Sequence, residues 1–502
     1  MLAAVRKGSP ARKWFALAVL MLPVLLVSID NTALNFAIPF IAQELNPTAA
    51  QQLWIIDAYP LVLAGLLVAA GSLGDRVGRR KLLLIGATGF AIVSVVAAFS
   101  PTAEMLVAMR ALLGLFGATL MPSTLSLLRT IFEDRAQRRL AIAIWATGFS
   151  VGSAIGPVVG GLLLAQFHWG SIFLIAVPIL VPLVVLAPFL IDESRDPNPG
   201  PVDILGVIAS MAALSGLAAG IKRLATHGID PASVGLLVLA VAAGWLVVHR
   251  MRRSDNPMLD VQLFRNPEFS GALVINLLSI VALTGFLYWV TQHLQLVTGM
   301  SPFDAAMVLI PGILAIVVFG LLVVRVVRYL PPGPVIGVAL LVSLTAYALM
   351  MFAGKDISVW AIAIYFALLG VGIGAAETLS NDMVIASVPS GKAGAASAVS
   401  ETAYEFGAVL GTTLLGGLLT AVYRSSFVVP DGVGEAHAAA AYETLGGAAD
   451  AAREIGGSTG DALLAAAQRA FDEGATAMSG AGVVLMLIAV LIAFIALRRA
   501  KA

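Results

Sequence analysis

Apolar windows of about 20 residues, the length needed to cross a bilayer core, recur along nearly the whole chain. They fall near 14–38, 51–73, 81–99, 104–128, 139–164, 169–191, 202–222, 232–250, 268–290, 303–324, 333–353, 358–386, 394–423 and 477–497. This pattern predicts fourteen membrane-spanning helices. The windows at 202–250 stand between charged linkers. They divide the chain into a six-helix bundle (1–191), a linker carrying two extra spans (192–266) and a second six-helix bundle (267–502). Glycine-rich, proline-broken or glycine-paired stretches recur in both bundles, at 148–163 and 407–419, as expected of transporter halves related by pseudosymmetry. The longest polar interval, about 424–476, holds eight acids and three arginines; its stretches 435–445 and 461–473 have helix-forming composition. It is either a cover over one end of the bundle or a tolerated insertion.

Charge orients this pattern. With both termini cytoplasmic, 23 Lys/Arg fall in inside segments and six outside: Lys222, Arg223, Lys355, Arg424, Arg453 and Arg469. That asymmetry follows the positive-inside rule and would invert with an odd number of spans. The cationic start (Arg6, Lys7, Arg12, Lys13) resembles a signal peptide, but the apolar run continues beyond Asp30 to Phe40, so it reads as a retained first span. Composition agrees: 59% of the 502 residues are hydrophobic and 12% charged, with a mean hydropathy of +0.96. The chain is thus expected to be an all-α polytopic membrane protein. A net charge of +1 argues against nucleic acid as a partner. The absence of cysteine removes disulfides, thiolate metal sites and cysteine nucleophiles. No Walker string, metal cluster or catalytic constellation occurs, which disfavours an enzyme, a metal centre, a cofactor site and an ATP-driven pump.

Between the second and third windows lies Gly71-Ser-Leu-Gly-Asp75-Arg76-Val-Gly78-Arg79-Arg80-Lys81, a charged turn punctuated by glycine. It resembles the loop between helices two and three of the major facilitator superfamily, matched at Gly71, Leu73, Asp75, Arg76, Gly78, Arg79 and Arg80. The fifth window carries Gly148-Phe-Ser-Val-Gly152 and Ala154-Ile-Gly156-Pro157-Val-Val-Gly160-Gly161. Small residues there permit close helix approach and Pro157 removes a backbone bond. Ordinary membrane packing would account for such a string; as a whole it resembles the antiporter motif of the drug-exporting branch. The first window ends Asp30-Asn-Thr32-Ala-Leu-Asn35-Phe-Ala37-Ile-Pro39, similar to a motif of the fourteen-helix drug:proton antiporters, the QacA, SmvA and LfrA type of multidrug pump. The resemblance continues through Trp54 to Tyr59, 257–264 and 294–302. The chain departs from the pattern at Arg110-Ala-Leu-Leu113-Gly114, which lacks the usual glutamine, and at 168–173, which lacks an arginine and a second tryptophan. Its tenth window has no central acid, where some divalent-cation exporters of the group carry one.

Ionisable residues within the windows mark the candidate chemistry. Asp30, Asp57, Glu377, Glu401 and Glu405 fall well inside, Asp382 nearer the cytoplasmic end, and Arg110 is the one base assigned to the interior. Facing lipid, each would cost about 2.5–3.5 kcal/mol, so they must line a watery cavity or carry protons. Burial favours the protonated carboxyl, which suits proton transfer. Glu401 and Glu405, four apart on one helix face, either share a proton or bond to a neighbouring helix. Trp54, Asp57 and Tyr59 either receive a delocalised organic cation or form an interfacial aromatic belt. Phe149, Tyr288, Trp289 and Tyr404 are further candidates for lining a pocket, with Phe286 and Tyr365 beside them.

The resemblance implies that Arg110 takes part in proton coupling and that Asp75 and Arg76 latch the loop against a neighbouring helix. The resulting expectation is a monomeric exporter of lipophilic and quaternary ammonium cations, dyes and cationic antibiotics. It would lie in a bacterial plasma membrane and be driven by the proton-motive force without a cofactor. A dedicated exporter of one endogenous lipid or metabolite is the alternative, with a membrane enzyme or receptor behind it.

Overall fold

In the computed structural model, residues 10–195, 203–253, 261–353, 357–388 and 393–497 are described, and among them there is helix and no strand. The first group comprises α1 (Pro10–Leu45), α2 (Ala49–Val77), α3 (Arg79–Ala98), α4 (Ala103–Ile131), α5 (Arg135–Gln166), α6 (Ser171–Leu174) and α7 (Ala176–Leu190). The inserted pair is α8 (Ile204–His227) and α9 (Pro231–Arg253). Then come α10 (Pro267–Gln292), α11 (Pro302–Val326), α12 (Pro332–Phe352), α13 (Val359–Ala386), α14 (Ala393–Leu410), α15 (Gly417–Ser426), α16 (Glu435–Glu443), α17 (Leu445–Ile455) and α18 (Gly457–Ala496). Thirteen described helical segments are long and apolar enough to cross a membrane. In α5, 32 residues long, the described apolar stretch is Ile155–Gln166. The termini at 1–9 and 498–502, with Lys355, lie outside the described residues.

Helix starts follow local chemistry. Thr48 and Gln51 form a reciprocal capping box on α2. Thr102, Asp134, Ser301 and Ser358 accept from the orphan N–H groups of α4, α5, α11 and α13. Proline occupies the first turns of α10, α11 and α12, where its missing N–H costs nothing.

Packing repeats across the chain. Helix α1 lies on α5 and α2 on α4; correspondingly, α10 lies on α14 and α11 on α13. The likeness extends to side chains. Gly156 of α5 rests on Thr32 of α1, and Gly411 rests on Thr284 of α10. Each threonine hydroxyl donates back to carbonyls of its own helix, Ser28 and Ile29 for Thr32, Ile280 and Val281 for Thr284.

Three features differ from the sequence expectation. The polar interval at 424–476 is helical where its composition suggested, but it is not separate from the last span: its last twenty residues are the first half of the 40-residue α18. At 1.5 Å per residue, α18 is about 60 Å long, so it extends well past one face of the bilayer. A π-helical turn, His293–Val297, follows α10 beyond its apolar window, and a second, Gly411–Gly416, interrupts what pattern alone reads as one continuous helix. Finally, α8 runs on to His227 and ends at Gly228, which takes φ +74°. This carries Lys222 inside the helix rather than into an outer loop.

The interval 424–476 packs against one end of the bundle. Gly446 packs on the Ala42 side chain, Ala49 N–H donates to Glu443 at 2.9 Å, and the Tyr423 hydroxyl donates to the Ala441 carbonyl at 2.5 Å. At the same end Gln295 donates to the Phe36 carbonyl at 3.3 Å. A Cβ at Gly161 would lie 2.9 Å from the Pro302 carbonyl of α11.

Candidate translocation site

Two polar clusters lie inside the bundle. The first centres on Arg110 of α4, whose side chain is 1% exposed. Its Nη1 meets Asp30 Oδ2 of α1 at 2.7 Å and its Nε donates to the Ile55 carbonyl of α2 at 3.0 Å. The guanidinium carbon stands 4.7 Å from the Tyr59 ring centre and 5.8 Å from that of Phe173. A planar fork with several donors suits this arrangement, since each contact leaves in a different direction.

From Asp30 the acidic groups continue into α14. Glu405 is 1% exposed, accepts from the Asn31 side chain, and lies within electrostatic range of Asp30, Arg110 and Glu401. Glu401 in turn lies within electrostatic range of Glu377 of α13. Tyr404 lies among Glu377, Glu401 and Glu405; Tyr59 lies among Asp30, Arg110, Glu401 and Glu405. Five of the six expected proton-coupling residues thus form one string between α1, α4, α13 and α14.

Asp57, the sixth, belongs to a separate cluster. It is fully buried on α2, and its Oδ2 lies 2.8 Å from Nζ of Lys222 on α8. The same ammonium donates to the Leu53 carbonyl at 3.1 Å and sits 4.0 Å from the centre of the Trp54 ring. The Thr413 hydroxyl, in the second π-turn, donates to Asp57 at 3.1 Å. Tyr288 is nearby, its hydroxyl accepting from Gln52 at 3.2 Å while Gln52 also donates to Gln292 at 3.2 Å.

Sequence reasoning assigned Lys222 to an outward loop and recognised Arg110 as the one interior base. The structure corrects both points, because α8 ends five residues beyond its apolar window. The glycine at 228, suited to a helix end, was the available signal. Also missed was a polar group in which Asn276 donates to Asn381 at 3.3 Å and to Ser400 at 3.2 Å, with Ser400 also bonded to Asn381.

The remaining expected residues separate. Tyr288 borders the Asp57 cluster. Trp289 packs in the core, edge-on to Phe286 at 5.6 Å and 5.0 Å from His293. The Phe149 side chain lies outside the described set. Gly152, Gly156, Pro157 and Gly160 are buried on α5. The three glycines follow Ser28, Thr32 and Ala33 along α1, and the helix continues through Pro157. Gly71 packs on Pro122 of α4.

In the charged turn, Asp75 pairs with Arg79 at 2.8 Å, while Arg76 is exposed. Arg79 reaches Ser194 at 3.2 Å. Both carboxylate oxygens of Glu193 accept backbone N–H groups, from Arg80 at 3.0 Å and Lys81 at 3.1 Å. Arg80 also donates to the Ile191 carbonyl at 2.9 Å. The turn is therefore clasped to the segment after α7.

An all-helical bundle with buried charge between its helix groups is the architecture of a multi-pass membrane transporter. The chain belongs to the Major Facilitator Superfamily, whose family model matches residues 20–412. It is 49% identical over 491 residues to the "Multidrug efflux pump LfrA" of Mycolicibacterium smegmatis, covering 98% of this chain and 97% of that one. It is 34% identical over 489 residues to the "Methyl viologen resistance protein SmvA" of Salmonella typhimurium, covering 95% and 97%. Among solved structures, an inward-facing bacterial homologue of the human lysosomal transporter Spinster superposes with a TM-score of 0.68 at 18% identity, covering 98% of each chain. That likeness concerns the fold.

Proposed function

We propose that this chain is a proton-driven antiporter that exports lipophilic and quaternary ammonium cations, dyes and cationic antibiotics from bacterial cells. The observation that carries this reading is the string of carboxylates, Asp30, Glu405, Glu401 and Glu377, which crosses the bundle interior with Arg110 at one end. Neighbouring carboxylates, of which Asp30 and Glu405 are buried and Glu401 and Glu377 half-buried, cannot all remain ionised cheaply and so provide sites for protons. The separate carboxylate of Asp57, paired with an ammonium that lies on the Trp54 face and close to Tyr288, serves as the subsite for a substrate cation. The names of the two relatives, a multidrug efflux pump and a methyl viologen resistance protein, support drug export.

In this reading the bundles 1–191 and 267–502 rock about the α5–α11 and α2–α14 contacts. The protein has fourteen spans and cytoplasmic termini, lies in the plasma membrane and works as a monomer. Ethidium efflux from energised cells tests the proposal: it should stop when a protonophore is added. Efflux that survives uncoupling would overturn proton antiport, and no efflux with a fully inserted protein would favour an exporter of one endogenous compound.

A further inference from the structure

The inserted helix pair contributes the most unexpected group in the interior. Lys222 of α8 is 1% exposed, and its head reaches a short stretch of α2. Its ammonium meets the Asp57 carboxylate, the Leu53 carbonyl and the face of Trp54. A carboxylate beside an aromatic face is the environment that recognises an organic cation, and here a cation of the protein already fills it. Helix α8 is positioned for this by packing against α2, the Gly411–Gly416 turn and α15, so it touches both groups of helices. Close approach is possible because Gly65 of α2 leaves room for the Met211 side chain.

We propose that Lys222 is a tethered surrogate for the substrate: its ammonium occupies the Asp57–Trp54 subsite when no drug is bound and is displaced by an incoming monovalent organic cation. The inference rests on the assignment of that subsite to substrate in the proposed function. Lysine suits the role because its charge is compact and its four-carbon stem is flexible, so the head can leave while the helix stays. Exchange of one monovalent cation for another keeps the Asp57 carboxylate partnered before and after binding, and the transporter avoids an uncompensated buried charge on its return. The inserted pair would thereby act as a selectivity element, since a ligand must bind Asp57 and Trp54 better than the tethered ammonium does.

Competition predicts a direct gain when the competitor is removed. Apparent affinity falls by the fraction of molecules whose site is open, so a lysine that holds the site nine times in ten weakens binding about tenfold. Tetraphenylphosphonium binding should be measured on the purified full-length protein in lipid nanodiscs. Lys222→Met should bind about tenfold or more tightly than wild type, Lys222→Arg no more tightly than wild type, and Asp57→Asn more weakly. The double variant Asp57→Asn/Lys222→Met, which keeps the pair neutral, should also bind weakly.

Weakened binding by Asp57→Asn without a gain in Lys222→Met would overturn the surrogate role and leave the subsite standing. Wild-type binding by Asp57→Asn would overturn the subsite itself. Should Lys222→Met not fold, the wild-type protein decides. Saturating tetraphenylphosphonium should raise reductive methylation of Lys222 relative to exposed Lys81, read by mass spectrometry, and an unchanged ratio would refute displacement.

Discussion

Arg110 joins Asp30 across the α1–α4 interface at 2.7 Å, and its second contact, to the Ile55 carbonyl, draws α2 into the same junction. Removing the guanidinium leaves a buried carboxylate without its partner, a change that costs on the order of 3–5 kcal/mol in comparable pairs. Arg110→Ala should therefore lose coupled transport while still inserting. Arg110→Lys should restore little, because an ammonium cannot span Asp30 and Ile55 with the geometry of a fork. Transport driven by a pH gradient in proteoliposomes is the measurement, and normal rates in the alanine variant would remove Arg110 from coupling.

The α1–α5 contact gives a steric prediction. A Cβ at Gly156 would collide with the Thr32 hydroxyl and lie 3.3 Å from the Ile29 carbonyl. Gly156→Val should insert but transport poorly, with overpacking on the order of 1–3 kcal/mol. Gly156→Ala combined with Thr32→Ala should recover part of the loss, because the obstructing hydroxyl is gone. Wild-type efflux by Gly156→Val would show that the close contact is dispensable.

Gly78 carries two constraints at once. Its φ is +116°, and a Cβ there would stand 2.7 Å from the Glu193 carboxyl carbon. Gly78→Ala should cost about 1–2 kcal/mol in backbone strain alone and release the Glu193 clasp on Arg80 and Lys81. Glu193→Ala should reproduce the functional part of that defect without the strain. Efflux rates of the two variants, compared at equal expression, provide the check; full activity in both would reduce the clasp to a topological anchor.

The inserted hairpin is tied at both ends outside the apolar core. Two hydrogen bonds from Arg223 hold the Asp230 carboxyl well below its usual range, helped by the Ser233 N–H. A bond from Arg250 likewise lowers Asp203. Because the folded-state pKa is depressed, the Asp230 contribution is present above the unfolded value of about 3.9 and fades as pH falls through the lower folded value. Asp230→Asn should lower the thermal unfolding temperature slightly at pH 7, and the difference from wild type should shrink below about pH 4. Equal unfolding temperatures at pH 7 would mean that the pair contributes nothing.

Topology is testable because the chain has no cysteine. With cytoplasmic termini, Ser458→Cys, at the exposed start of α18, should react with an impermeant thiol reagent on intact cells. Ser9→Cys should react only after lysis. The reverse pattern would invert the orientation.

Much of this was legible along the chain. Helices follow from apolar windows and caps, since a backbone in hydrocarbon must satisfy its own hydrogen bonds. The turn at 71–81 and the small residues at 152, 156, 160 and 161 announced their close contacts, because glycine leaves a gap that only another backbone or a short side chain fills. Arg110 declared itself as an interior charge that needs a partner.

Partner identity was another matter. Asp30 is 80 residues from Arg110, Asp57 is 165 from Lys222, and Glu405 is 374 from Asn31, so nothing in local periodicity couples them. Lys222 lay at the edge of an apolar window, where a few residues of helix decide between a solvated loop and the bundle interior. The π-turn that presents Thr413 to Asp57 likewise has no hydropathy signature. Sequence determined which segments enter the membrane, through the local cost of exposing backbone and charge to hydrocarbon. Tertiary structure decided which buried charges meet, because that depends on the rotation and offset of helices far apart in the chain, and a lysine misplaced by one helical turn would find lipid or water instead of Asp57.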